Sequence, residues 1–220
     1  MGSQLEIITP LHEKTKRDYL ARMIDDKPHC MEVSKKFGPD YWDGDRRYGY
    51  GGYNYDGRQE AIARRLIEHF NLGKNPRILD VGCGKGYLLY EFQKLLPESK
   101  ITGFDISEYA LKNGKEEVKS RIFLHRAKDH YPFKEKEFDL VTSITTLHNL
   151  QINELKSAMQ EIERVGKRKY VAVESFRNDR ELFNLQCWAL TCQSFFNPEE
   201  WTWLFNEFGY TGDYEFIYFE

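Results

Sequence analysis

The chain has 220 residues, of which 40% are hydrophobic and 30% are charged, and its net charge at pH 7 is −3. This composition is typical of one globular domain that is long enough to bury a substantial core. The small net charge creates no global field that would draw the protein to nucleic acid or to an anionic membrane. No apolar run approaches the ~18 residues of a membrane span, and no apolar signal segment is apparent. We therefore expect a cytoplasmic protein with no nucleic-acid or membrane partner.

The four cysteines have neither the spacing of a zinc site nor the density of a disulfide scaffold. They are Cys30, Cys83, Cys187 and Cys192. We expect reduced and mostly buried thiols. The histidines also lack partners at metal-ligand spacing, so no metal site is predicted.

The N-terminal quarter of the chain has two parts. Residues 11–37 predict one or two short polar helices, broken near Pro28. Residues 41–58, YWDGDRRYGYGGYNYDGR, contain six aromatic residues, five glycines and three arginines, with no helical or strand period. We name residues 41–58 the Tyr–Gly segment.

From Gln59 onward, helix and strand patterns alternate. Helices are predicted at 59–73, at 87–96, after the N-cap Ser107, at 153–165, and at 198–209 after a capping box of Asn197 and Glu200. Strands are predicted at 77–81, 100–105, 121–125, 138–143, 169–174 and 214–219. This alternation predicts an α/β fold, a doubly wound and mostly parallel sheet with helices on both faces. The sheet holds six or seven strands, because Phe183–Phe196 is open to three interpretations: a further strand, an apolar helix or a contact of a homodimer. The expected division is an N-terminal helical and Tyr–Gly cap at 1–58 and a ligand-binding domain at 59–220.

The sequence LDVGCGKGYLL, residues 79–89, carries the most specific signal. A strand leads into Asp80-x-Gly82-x-Gly84-x-Gly86 and then into a helix, so the backbone can turn tightly and approach a ligand closely. Tyr87 stands where a nicotinamide dehydrogenase needs its third glycine. Asp105 ends the next strand, at the distance where a carboxylate accepts the hydroxyls of an adenosine ribose.

ILDVGCGKG, followed by TGFDIS, RAKDHYPFKEKEFDLV and TSITTLHNL, resembles the class I, Rossmann-like S-adenosylmethionine-dependent methyltransferases. The resemblance covers Arg77 to about Glu174 and implies S-adenosylmethionine as the cofactor. It implies that Asp80, Gly82, Cys83 and Gly84 face the methionine end, that Asp105 holds the ribose, and that Ile106 packs on the adenine. Lys128 and Asp129 would lie in the adenine loop, with Asp129 on the amino group, and Ser143 and Thr146 would lie beside the transferring methyl.

Two side chains are candidate catalytic groups. His148 follows the fourth strand and is a natural general base for an oxygen nucleophile, or simply a polar residue that leads into a helix. Glu174 ends the fifth strand and is a second candidate base, a ligand for a substrate amine, or a surface carboxylate. An acceptor that is already ionised needs no base, because positioning and desolvation supply most of the acceleration.

The Tyr–Gly segment is predicted to cover the active site. Its tyrosines offer apolar faces with hydroxyl tips, and its arginines suit carboxylate or phosphate. The candidate substrate-binding residues are Arg46, Arg47, Tyr50, Tyr53, Arg58, Thr146 and Arg177. The alternative is a structural loop in which Asp40, Asp43, Asp45 and Asp56 pair with those arginines.

The Tyr–Gly segment is also similar to the N-terminal region of small bacterial methyltransferases of surface-polysaccharide biosynthesis. This resemblance implies O-methylation of a small polar acceptor that carries phosphate, as in the O-methyl phosphoramidate of capsules. A nucleic-acid base methyltransferase is disfavoured, because Thr142–Thr145 replaces the Asn/Asp-Pro-Pro-aromatic tetrad. A protein or other small-molecule N-methyltransferase, and a non-catalytic cofactor-binding protein, remain open. Trp188, Trp201 and Trp203 are expected in the core.

Overall fold

A parallel sheet forms the centre of the computed structural model, which describes residues 2–12 and 15–220. Its strands are β1 (Arg77–Val81), β2 (Lys100–Asp105), β3 (Ile122–Leu124), β4 (Phe138–Ile144), β5 (Gly166–Glu174) and β6 (Asp213–Ile217). Their order is β3-β2-β1-β4-β5-β6, and every neighbouring pair is parallel. The predicted doubly wound α/β fold is confirmed, with six strands in the sheet.

Helices surround the sheet and form the N-terminal region. They are α1 (Thr9–His12), α2 (Tyr19–Ile24), α3 (Lys27–Ser34), α4 (Pro39–Trp42), α5 (Gln59–His69), α6 (Tyr87–Leu95), α7 (Glu108–Lys112), α8 (Ile152–Val165), α9 (Asp179–Trp188) and α10 (Pro198–Glu207), with 3₁₀ turns at Arg46–Tyr48, Lys119–Arg121 and Leu147–Asn149. The predicted caps are present: Ser107 Oγ accepts the Ala110 N–H at 3.0 Å, and Asn197 and Glu200 form a capping box. The break predicted near Pro28 is present at Asp25 and Asp26, between α2 and α3. Pro28 lies in the first turn of α3, where a missing N–H costs nothing.

The core consists of two apolar clusters, one on each face of the sheet. Ile78 of β1 belongs to the cluster that contains α5 and α6, whereas its neighbour Leu79 belongs to the cluster that contains α8 and α10. The strand period of two therefore divides successive side chains between the faces. Helices cover both faces of the sheet, so the carboxyl ends of its strands remain accessible to a ligand.

The segment before α1 runs beside β6. The Leu5 N–H donates to the Tyr214 carbonyl at 2.8 Å, and the Tyr214 N–H donates to the Ser3 carbonyl at 3.1 Å. The buried carboxylate of Glu215 accepts the Ile7 N–H at 2.7 Å and the Thr9 N–H at 2.7 Å. The N-terminus thus extends the sheet by an isolated parallel bridge rather than by a seventh strand.

The Phe183–Phe196 segment resolves into the second half of α9 followed by irregular chain. Of the three interpretations, the helix is confirmed for its first six residues, and the homodimer stays a prediction. None of the described helices is long and apolar enough to cross a membrane. The cytoplasmic location also stays a prediction.

The tryptophans and cysteines test the predicted core. All four cysteines are free and buried, as expected. Trp201 is fully buried, but Trp203 is 60% exposed, so the core position predicted for Trp203 is wrong. Two residues along a helix turn the side chain by about 200°, which sends Trp203 to the solvent side of α10. Trp188 is half-buried at the end of α9.

Candidate active site

A cavity of about 350 Å³ lies at the carboxyl ends of β1, β2 and β4, beneath the Tyr–Gly segment. Its position matches the rule that ligands bind outside the carboxyl ends of parallel strands, where the strand order reverses. Ten of the predicted site residues line it: Asp80, Gly82, Cys83, Gly84, Asp105, Ile106, Lys128, Tyr50, Tyr53 and Thr146. The sequence-predicted cofactor and cap residues therefore meet at one place.

The glycine loop, Gly82–Gly86, forms the floor of this cavity. Gly82 and Gly84 have φ angles of 78° and 54°, in the left-handed region that favours glycine. A Cβ on Gly82 would stand 2.2 Å from Thr146 Oγ1, and a Cβ on Gly84 would stand 2.8 Å from the Trp42 ring. Only glycine leaves the backbone accessible here, so the loop is shaped for close approach of a ligand.

Asp105 is fixed by the backbone at the end of β2. One carboxylate oxygen accepts the Gly84 N–H at 2.8 Å, and the other accepts the Ser107 N–H at 2.8 Å. Burial raises the pKa of Asp105, and these two N–H groups oppose that rise. Each oxygen keeps a second lone pair, so an ionised Asp105 can still accept two ligand hydroxyls.

Asp80 also lines this cavity. It is 4% exposed, and Thr142 Oγ1 donates to its Oδ1 at 2.8 Å. Burial raises the pKa of Asp80 to about 7, and the charge of Asp105 adds to the rise. A cationic ligand group in the cavity would favour the ionised form of Asp80.

The side of the cavity near β2 and β3 is arranged differently from the prediction. Ile106 lines the cavity and exposes 48% of its surface, as an apolar platform for a planar ring would. Lys128 lines it too, but its ammonium pairs with Glu154 of α8. Asp129 lies in an exposed turn outside the lining, so Glu154 is the acidic side chain on this wall. Its only sequence signal was its place as third residue of α8.

The Tyr–Gly segment is tied to the glycine loop by a charge pair. The Lys85 ammonium, 4% exposed, contacts both oxygens of Asp43 at 2.7 Å and the Tyr53 carbonyl at 2.9 Å. The Tyr53 ring stacks on Tyr87 with centroids 5.1 Å apart. Trp42 Nε1 donates to Ser107 Oγ at 2.8 Å. These contacts hold aromatic side chains over the cavity.

The comparisons with known proteins agree with this geometry. A sequence model of the family described as "Methyltransferase domain" matches residues 72–209, more than half of the chain. The chain belongs to this methyltransferase family. The class I S-adenosylmethionine-dependent group predicted from the glycine motif is thereby confirmed.

Individual relatives extend this result. The chain is 32% identical to the mitochondrial arginine-hydroxylase NDUFAF5 of Mus musculus over 60% of its length and 38% of that protein. It is 31% identical to a demethylmenaquinone methyltransferase of Geobacillus kaustophilus over 50% of its length and 47% of that protein. A solved S-adenosylmethionine-dependent methyltransferase of Aquifex aeolicus shares the fold, with a TM-score of 0.50, 19% identity, and coverage of 70% of this chain and 83% of that one. The chain spans less than half the length of these two curated relatives.

The two candidate catalytic groups lie behind the cavity wall. His148 is 4% exposed, and its Nε2 lies 3.4 Å from Glu174 Oε2, while its Nδ1 accepts the Glu174 N–H at 3.4 Å. Burial lowers the pKa of His148, and Glu174 opposes that change. Neither residue lines the cavity, and Ser143 is fully buried, with its hydroxyl on the Val81 carbonyl. The roles predicted for these three residues stay predictions.

The four arginines predicted to bind substrate also lie outside the lining of the cavity. Arg58 pairs with Asp56 inside the Tyr–Gly segment, and Arg47 pairs with Asp25 outside it. Arg177 pairs with Glu181 and Glu220. No such pair involves Arg46 among residues 2–12 and 15–220, and Arg46 stacks on Trp188 instead. The alternative prediction, in which aspartates of the segment pair with its arginines, is therefore confirmed only for Arg58.

Three buried polar atoms in the cavity lining have no hydrogen-bond partner within the part of the chain that the structure describes. They are Gln59 Oε1, His125 Nε2 and Asn149 Oδ1. A buried polar atom without a partner is costly, so such atoms indicate where a ligand completes the hydrogen bonding. No role was predicted from the sequence for Gln59 or His125. The glycine loop, Asp105, Ile106 and these atoms fit S-adenosylmethionine.

Proposed function

We propose that this protein transfers the methyl group of S-adenosylmethionine to an oxygen of a small polar acceptor. The observation that carries the proposal is the aromatic cover: Trp42, Tyr50 and Tyr53 close a cavity of about 350 Å³ directly over the glycine loop. This volume lies near the lower end of the roughly 300–1,000 Å³ typical of small-molecule sites. A folded protein or a nucleic acid would need an open cleft instead.

The residues of the site would bind, orient and exclude water. Asp105 would accept the ribose hydroxyls, Ile106 would pack on the adenine, and Asp80 would face the charged methionine end. When bound, S-adenosylmethionine supplies an electrophilic methyl group on a sulfonium that leaves as a neutral thioether. The acceptor oxygen would form the new C–O bond as the C–S bond breaks, with the electron pair left on sulfur, and an acceptor that is not already ionised would release its proton to solvent. Positioning in a dry site supplies most of the acceleration for such a step.

His148 and Glu174 would support this site from behind. The His148 carbonyl accepts the Gln193 N–H at 2.9 Å and the Ser194 N–H at 3.0 Å, and Gln193 Nε2 donates to the Asn149 carbonyl at 2.8 Å. Both Asn149 and Gln193 line the cavity. We assign the backbone of His148 a positioning role and expect the acceptor oxygen to be ionised or to lose its proton to solvent.

The acceptor is proposed to be a phosphate-bearing precursor of a surface polysaccharide. This part of the proposal rests on the resemblance of the Tyr–Gly segment, not on the relatives. The names of the relatives suggest two competing acceptors. One is demethylmenaquinone, and the other is arginine, for which the name gives hydroxylation and not methylation.

A transfer assay with methyl-labelled S-adenosylmethionine separates these possibilities. The protein would be incubated with an extract of the source cells that has been divided into small anionic metabolites, lipids and proteins. We expect label in the small anionic fraction. Label in lipid would favour a quinone, and label in protein would favour a side-chain acceptor. Either result contradicts the small polar acceptor.

Two controls complete the assay. Asp105→Asn should lower labelling in every fraction at a limiting concentration of S-adenosylmethionine, because it removes the proposed ribose contact. Bound S-adenosylhomocysteine with no label in any fraction would point to the non-catalytic cofactor-binding protein. An oxygen-dependent mass gain of a protein arginine would point to a hydroxylase.

A further inference from the structure

Four cationic side chains gather around Trp188, at the end of α9. The guanidinium carbons of Arg22, Arg46 and Arg17 lie 4.8, 5.1 and 5.5 Å from the centre of its ring. The ammonium of Lys27, a buried residue, donates to the carbonyl of the neighbouring Cys187 at 2.6 Å. The protein as a whole carries a net charge of −3, so this concentration of positive charge is local.

These cations contact carbonyl oxygens rather than carboxylates. Arg22 donates to the carbonyls of Arg46 and Trp188, and Arg46 Nη1 donates to the carbonyls of Gly49 and Tyr50 at 2.7 and 3.0 Å. Within residues 2–12 and 15–220, no carboxylate forms an ion pair with Arg22, Lys27 or Arg46. Arg22 Nη2 and the Nε and Nη2 of Arg46 have no hydrogen-bond partner among the same residues. Planar N–H forks without a carboxylate are suited to a phosphate or carboxylate ligand.

Burial, and after it the neighbouring positive charge, lowers the pKa of two members of this group. Burial, with a further contribution from the charge of Arg22, lowers the pKa of Lys27 to about 8. Burial and the charge of Arg46 lower the pKa of Arg22. An anion bound beside these cations would offset their mutual repulsion.

The cationic group is connected to the cavity through the Tyr–Gly segment. Arg46 binds the backbone of Tyr50, and the Tyr50 ring lines the cavity. Tyr50 also stacks on Trp42, with ring centroids 5.3 Å apart. Arg46 and Tyr50 therefore join the cationic group to the aromatic cover of the cavity.

We propose that Arg22, Arg46 and Lys27, assembled on Trp188, form a binding site for the anionic group of the methyl acceptor. The ligand chemistry is a phosphate or carboxylate, held by the free donors of Arg22 and Arg46, with Arg17 adding positive charge. The site rests on the proposed function, because the acceptor must reach from this group to the cavity. Arg22, Lys27 and Trp188 were not among the substrate residues predicted from sequence, whereas Arg47 and Arg58, which were, are already paired.

The test is a calorimetric titration of the full chain at constant ionic strength with inorganic pyrophosphate and, separately, with malonate. Arg46→Gln and Arg22→Gln are compared with Arg58→Gln, which removes the same charge from a pair with Asp56. We expect the affinity for pyrophosphate to fall at least tenfold in the first two variants and to stay within twofold of the wild type in Arg58→Gln. Stronger binding of malonate than of pyrophosphate would identify the ligand as a carboxylate within the same site.

Two results would overturn the site: no binding of either anion to the wild type, or an equal loss in all three variants. Arg46 is exposed in a 3₁₀ turn, so its variant is expected to fold, and its melting temperature would verify this. S-adenosylhomocysteine is titrated into the same four proteins. Failure of the wild type to bind it would refute the proposed function, whereas the anion titrations judge the basic site separately.

Discussion

The glycine loop and the Tyr–Gly segment meet across one cavity, but they owe their shapes to different forces. The glycine loop is defined by its own backbone, with three left-handed glycines between a buried strand and a helix. The Tyr–Gly segment contains only the last two residues of α4 and one 3₁₀ turn, and it is held by side chains from elsewhere, above all Lys85 and Tyr87. The shape of the cofactor half of the site therefore comes from local sequence, whereas the shape of the acceptor half comes from tertiary contacts.

The largest effect is expected on the cofactor half. Asp105→Asn places an amide NH₂ against the Gly84 or Ser107 N–H and removes the charge offered to the ribose. We expect the affinity for S-adenosylhomocysteine to fall about 100-fold, or about 2.7 kcal/mol, by calorimetry. Asp129→Asn, in an exposed turn, is the matched control and should bind normally. Equal affinity of Asp105→Asn and wild type would remove Asp105 from the site.

The stability of the protein should depend on pH through Asp80, the buried carboxyl group beside the glycine loop. The pKa of Asp80 is about 7 in the fold against an ordinary value of 3.8, so the native state holds a proton that the unfolded chain has lost. Raising the pH from 5 to 7 therefore destabilises the wild type by roughly 2 kcal/mol through this group. Asp80→Asn should lack that part of the decrease, as measured by urea unfolding at pH 5, 6 and 7 without cofactor. Parallel curves for the two proteins would contradict a raised pKa.

The smallest of the three effects is expected where the Tyr–Gly segment joins the glycine loop. Asp43→Asn leaves the buried Lys85 ammonium without its carboxylate. Because the Asp43 side chain is 30% exposed, we expect a loss of about 1–2 kcal/mol in urea, below the cost of breaking a fully buried pair. Amide exchange in residues 41–58 should accelerate as the cover loosens.

Asp56→Asn breaks the exposed pair with Arg58 and is the control for this experiment. It should change stability by less than about 0.5 kcal/mol, as most surface pairs do. Slow exchange retained in Asp43→Asn would show that aromatic stacking, rather than the Lys85 pair, holds the segment.

Local rules anticipated much of this molecule. The N-caps Ser107 and Asn197 lie where their side chains and the following residues placed them. The cavity lining contains the glycine loop, Asp105 and Ile106. Rules of this kind succeed because a cap or a glycine turn depends on residues only a few positions apart.

Predictions from the sequence were least accurate for side chains whose partners lie far away along the chain. Glu154, rather than Asp129, stands beside Lys128 on the cavity wall, and it comes from the helix after β4. Arg46 and Arg58 were equivalent in the sequence, yet one stacks on Trp188 and the other pairs with Asp56. His148 follows the right strand, but its ring faces Glu174.

The sequence by itself determined the order of strands and helices, the glycine loop and the family, because periodicity, caps and left-handed glycines act within a few residues. Tertiary structure alone decided which arginines keep free donors and which aromatic rings cover the cavity. It also decided that Trp203 faces solvent while Trp201 is buried. The physical reason is that ion pairing, stacking and burial depend on groups brought together from 20 to 160 positions apart, as Lys27 and Cys187 are.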